Sequence, residues 1–124
     1  EGIAAAVARH LRAQRASRAG LQALGARLWL SDENEASRLV TTILLPEGLD
    51  AHRLAQHEAA VAAGLSAGVG AVASRLLRLD HTGPRASRET VLAGIRAVAR
   101  VLREAGVAVS ETAAEAAVDA VWNG

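Results

Sequence analysis

The chain has no cysteine, methionine, phenylalanine, tyrosine or lysine. Without cysteine there is no disulfide, no thiolate metal site and no cysteine nucleophile, a composition that fits a reducing compartment and sets the expectation of a cytoplasmic protein. Without lysine, all 14 basic residues are arginine, so the chain cannot itself form a lysine Schiff base. Trp29 and Trp122 are the only aromatics apart from four histidines, which leaves Leu, Val, Ile and Ala to build the core. No run approaches the roughly 18 apolar residues that a membrane-spanning helix needs, and Ile3 to Val7 is too short for the apolar part of a signal peptide. With no methionine, the sequence starts at Glu1 directly inside a helical pattern, which reads as a piece cut from a longer polypeptide.

At 124 residues and 51% hydrophobic, the chain suffices for one domain that buries about two thirds of its unfolded surface. Its formal charge is only +1, but the charge is unevenly placed. Residues 2 to 31 carry Arg9, Arg12, Arg15, Arg18 and Arg27 with no acid, whereas the tail from Glu104 carries Glu104, Glu111, Glu115 and Asp119 with no base. Ends of opposite sign either face each other or face separate partners.

From Ile3 to Leu24 the larger apolar residues recur with a period near 3.6, which predicts one long amphipathic helix, with Gly20 and Gly25 as weak points or the stop. Arg27 to Leu30 reads as a short strand, and the polar run Ser31 to Ser37 as a solvated loop. Leu39 to Leu45, rich in β-branched residues and closed by Pro46, is the clearest strand, expected to be central and covered on both faces. Asp50 is placed to cap a helix through Ala63, which Gly64, Gly68 and Gly70 end. Arg75 to Asp80 gives another strand. Ser87 caps a helix that runs to a stop at Gly106, and Ser110 caps a short Ala-rich helix ending near Trp122. This order predicts an α+β fold: a small antiparallel or mixed sheet packed against helices, with a C-terminal helical tail.

Alternation places Arg78 on one face of its strand with Leu76 and Asp80, and Leu77 and Leu79 on the other. A guanidinium at a strand end beside a loop suits a carboxylate or phosphate, because its planar fork of donors grips two oxygens at once. The plainer reading is a structural pair between Arg78 and Asp80, or a surface arginine. The segment from Gly64 to Gly70 lacks the Gly-Lys-Ser ending of a phosphate loop and the spacing of a dinucleotide loop, which leaves a flexible loop or a bulged edge strand. His10, His52, His57 and His81 form no metal-ligand spacing, so no metal site is expected, and His52 and His57 read as solvated. Arg9, Arg12, Arg15 and Arg18 step by three around the first helix and spread over a wide face, with no aromatics beside them, so no nucleic-acid partner is expected.

With the elements in this order, the chain resembles the C-terminal small domain of a class V, fold-type I aminotransferase that uses pyridoxal phosphate, the alanine/serine-glyoxylate aminotransferase group. The resemblance rests on Leu39-Val-Thr-Thr-Ile-Leu-Leu-Pro-Glu-Gly-Leu-Asp50, on Gly64-Leu-Ser-Ala-Gly-Val-Gly70, and on Leu77-Arg-Leu-Asp-His-Thr-Gly83 with the helix after it. It assigns residues 1–108 to the small domain and has no counterpart for 109–124, which are read as a helical tail extension. It also implies that Arg78 binds the substrate carboxylate. Asp80 stands where that family usually has Gly, and Thr82 where it has Met. The resemblance further implies a full-length enzyme that moves an amino group between an amino acid and an oxo acid. Pyridoxal 5'-phosphate and the catalytic and cofactor-binding residues would belong to a large domain, the partner of this one, in a homodimer. This chain alone would bind no cofactor, hold no catalytic residue and be inactive. The alternative is a stand-alone α+β binding or dimerisation module.

Overall fold

A computed structural model describes residues 1–124, and no helix in it is long and apolar enough to cross a membrane. The chain runs α1 (Ile3–Leu24), β1 (Arg27–Leu28), β2 (Val40–Leu44), α2 (Ala51–Leu54), α3 (Glu58–Ala63), β3 (Ser66–Ala67), β4 (Leu76–Asp80), α4 (Arg88–Glu104) and α5 (Glu111–Asn123). The strands form one antiparallel sheet in the order β1-β2-β4-β3.

α1 ends where Gly25 turns to φ 111° and its N–H reaches back to the carbonyls of Leu21 and Gln22, a conformation that favours glycine. Gly20 is a contact point, not a weak point. A Cβ there would lie 2.5 Å from Ile95 Cδ1 on α4 and 2.7 Å from Val118 Cγ2 on α5, so its bareness lets three helices meet. α5 is capped by Ser110, whose hydroxyl accepts the Ala113 N–H, and it buries Ala114 and Val118 in the same core as α1 and α4.

The helix expected from Asp50 to Ala63 is two helices. The imidazole Nδ1 of His57 accepts the Ala59 N–H at 3.0 Å, so this side chain starts α3 as its N-cap and interrupts the run after α2. His57 is therefore not a freely solvated residue. It is half-buried, and its Nε2 meets Glu104 Oε2 at 2.7 Å.

The expectation that β2 is covered on both faces fails for one face. Thr41, Ile43 and Leu45 point inward with Leu77 and Leu79 toward α1 and α4, while Val40, Thr42 and Leu44 are half-exposed. The register explains why the outer face stays open, since it sets Thr42 opposite Arg78 and Val40 opposite Asp80. Burying that face would desolvate a guanidinium and a carboxylate.

Candidate functional site

Arg78 sits in the middle of β4, opposite Thr42 on β2 and Ser66 on the edge strand β3. The Gly-rich segment thus supplies an edge strand to this site. Its backbone is paired on both sides, but the Arg78 guanidinium makes no ion pair and no hydrogen bond within the chain. It lines two cavities, both also bounded by Val40. One, of about 160 Å³, lies under Arg18, Leu30 and Ser37. The other, of about 180 Å³, lies between Gly64, Ser66, Asp80 and Thr82.

The structural pair between Arg78 and Asp80 is not formed. Asp80 Oδ1 accepts the backbone N–H of Thr82 at 2.8 Å, and its Oδ2 lies 4.0 Å from Arg85 Nε. Partial burial pushes the Asp80 pKa up, but hydrogen bonding from Thr82, with smaller help from Arg85 and His81, holds the carboxyl below its usual range. Asp80 is a carboxylate at neutral pH. Arg85 thus pairs weakly with Asp80 through Nε while its Nη1 donates to the Ala63 carbonyl at 2.7 Å across Gly64.

His81 follows on the inner face and is wholly buried. Burial lowers its pKa to about 4, against a smaller upward pull from Asp80, so the ring is neutral. Its Nε2 lies 2.8 Å from Thr41 Oγ1. Arg75 falls just before β4, exposed in a short 3-10 turn, and donates to the Leu45 carbonyl at 3.2 Å.

The walls of the two cavities are fastened to α1. The buried guanidinium of Arg18 donates from Nη2 to the carbonyls of Leu30 at 2.9 Å and Ser31 at 3.2 Å. The Gln14 amide donates to the carbonyls of Ala36 and Ser37. At the other end, Arg9 Nη1 donates to the Gly83 carbonyl at 2.5 Å, and His10 Nε2 accepts the Gly83 N–H at 2.9 Å. The remaining members of the arginine series are also engaged: Arg15 pairs with Glu33, and Arg12 lies over the Trp122 ring, 5.7 Å from its centroid. The acids of α5 pair with α4 and not with the basic first helix, led by Arg88 Nε to Asp119 Oδ1 at 2.6 Å.

Thr42, Ser66, Arg18 and Arg85 escaped the sequence reading of this site. Strand register and the path of the 29–39 loop bring them together, and neither leaves a local signal. Hydroxyls, two guanidiniums and a single carboxylate thus line two small open cavities on an α+β scaffold.

No family model matches the chain. It is 33% identical over 107 residues to the pyridoxamine–pyruvate transaminase of Mesorhizobium japonicum, which covers 86% of this chain and 27% of that protein. It is 36% identical over 121 residues to an uncharacterized aminotransferase of Methanocaldococcus jannaschii, covering 94% of this chain and 30% of the other. Its fold superposes on the crystal structure of the pyridoxamine–pyruvate aminotransferase of Mesorhizobium loti with a TM-score of 0.81 at 27% identity, over 94% of this chain and 30% of that one. The chain spans less than a third of the length of these relatives. The scaffold is thus one also found within aminotransferases. Over most of its length the chain is similar to a part of these aminotransferases that makes up less than a third of each.

Proposed function

We propose that this domain serves a pyridoxal-phosphate-dependent aminotransferase that moves an amino group between an amino acid and an oxo acid, and that Arg78 binds the substrate carboxylate. The observation that carries the reading is a half-buried guanidinium without an acidic partner, lining two cavities on the open face of a sheet homologous to that of aminotransferases. A carboxylate seated there gains a charge-assisted bidentate pair and a fixed orientation for its Cα substituents. Thr42 and Ser66, flanking Arg78 on the neighbouring strands, add hydroxyls at the same level.

The cofactor does not fit this chain alone. With no lysine, no side chain here can bind it covalently, so its seat and the catalytic residues are assigned to a large domain, and the isolated chain is inactive. The open sheet face and the exposed side chains of Ile3, Val7 and Leu39 suit contact with that domain. The division into a small domain, residues 1–108, and a helical extension, 109–124, belongs to the same proposal, as do the homodimeric state and the cytoplasmic location.

In the enzyme that carries this domain, Arg78→Ala raises KM for amino acid and oxo acid substrates and lowers kcat/KM about 10- to 100-fold, the loss of one charged hydrogen-bonded contact. Kinetics indistinguishable from the parent would remove Arg78 from this role.

A further inference from the structure

The second cavity of the site holds two opposite charges that do not neutralise each other. Arg78 and Asp80 lie on the same face of β4, about 7 Å apart along the strand. Both line the cavity of about 180 Å³ floored by Val40 and edged by Gly64, Ser66 and Thr82. Each is half-exposed to this space. Asp80 is held away from Arg78 by the Thr82 N–H on its Oδ1, which leaves Oδ2 with no hydrogen bond. The nearest cation, Arg85 Nε, is 4.0 Å from Oδ2, and its Nη1 is occupied by the Ala63 carbonyl. The Thr82 hydroxyl divides between the Leu39 carbonyl at 3.3 Å and the Asp80 carboxylate, whose pKa it helps lower, and leaves room for a stronger donor.

We infer that this cavity receives a dipolar ligand, with a carboxylate on Arg78 and an N–H-bearing cationic group on Asp80, and therefore selects amino acids that carry a second nitrogen some bonds away from the carboxylate. The inference rests on the reading of Arg78 as a carboxylate clamp. A ligand with only a carboxylate would leave the Asp80 oxygen facing an alkyl chain at a desolvation cost, and this is the source of the selectivity.

Butyrate and 4-aminobutyrate have the same carbon chain and differ in the terminal ammonium, so they isolate the Asp80 contribution. Each is titrated into the 124-residue chain while the Arg Nε–H signals and the Ser66 and Thr82 amides are followed by NMR. Both ligands are expected to shift Arg78, with 4-aminobutyrate binding at least about 5-fold more tightly, a difference near 1 kcal/mol. Asp80→Asn keeps the acceptor for the Thr82 N–H and hence the turn. It is expected to bring the two affinities together without weakening butyrate. Equal affinities in the parent chain, or a preference that survives in Asp80→Asn, would overturn the dipolar site and leave the clamp standing. Failure of butyrate to shift Arg78 would remove the clamp itself, and the inference with it.

Discussion

Arg78 and Asp80 stand two residues apart on one face of one strand and do not touch, because the carboxylate is captured by the backbone N–H of Thr82. An arginine without an intramolecular partner contributes little to folding. Arg78→Ala is therefore expected to change the unfolding free energy by no more than about 0.5–1 kcal/mol, measured by urea denaturation of the chain. A loss of several kcal/mol would reveal a structural role that the contacts do not contain.

Acid stability turns on His81. Its pKa in the folded chain is about 4, against 6.5 for the free side chain, so the unfolded state takes up the proton first as the pH falls. Stability is full above about pH 6.5 and declines as the pH drops toward 4, by a few kcal/mol in all. The lowered carboxyls of Asp80 and Asp119 act in the same direction, but only below the ordinary carboxylate range. Denaturation midpoints at pH 7 and pH 4.5 should separate clearly in the parent chain and much less in His81→Gln. Identical separations in the two proteins would assign the acid sensitivity elsewhere.

Packing at Gly20 gives a prediction opposite to helix propensity. Alanine in the middle of α1 would be favoured by about 1 kcal/mol on propensity alone. The added methyl would lie 2.5 Å from Ile95 Cδ1 and 2.7 Å from Val118 Cγ2, both buried. Overpacking of this kind costs about 1–3 kcal/mol, so Gly20→Ala is expected to lower stability. Gly94→Ala should do the same, since its Cβ would overlap Leu79 Cδ1. A rise in melting temperature for either variant would show that the helices slide apart freely.

Ser87 caps α4 with its hydroxyl, which accepts the Thr90 N–H at 3.1 Å. Ser87→Ala is expected to cost about 1 kcal/mol, and Ser87→Asp to retain most of the cap. Equal stability of all three proteins would mean that water replaces the hydroxyl there.

Five of the elements were legible locally. α1 kept the bounds Ile3 to Leu24 that its apolar period set, and Ser87 and Ser110 capped the helices that followed them. β2 and β4 were visible from β-branched and alternating residues, though β4 starts at Leu76, after Arg75. The break between α2 and α3 was hidden because an imidazole makes the cap, a role that His seldom signals. At the site, alternation places Arg78 and Asp80 on one face, as the cavity they share shows, while only the family resemblance singles out Arg78. The disengagement of Asp80 could not be read, because the turn at Thr82 competes with Arg78 for the same oxygen. Nor could the clamp of Arg9 on Gly83, which joins residues 74 positions apart.

α1 grips the turn after β4 through Arg9 and His10 and the loop before β2 through Gln14 and Arg18. The opposite rims around Arg78 therefore hang from one rod. If that rod tilts, both rims travel together and the gap between them keeps its width. The mouth of this site is steered as a unit and is not squeezed.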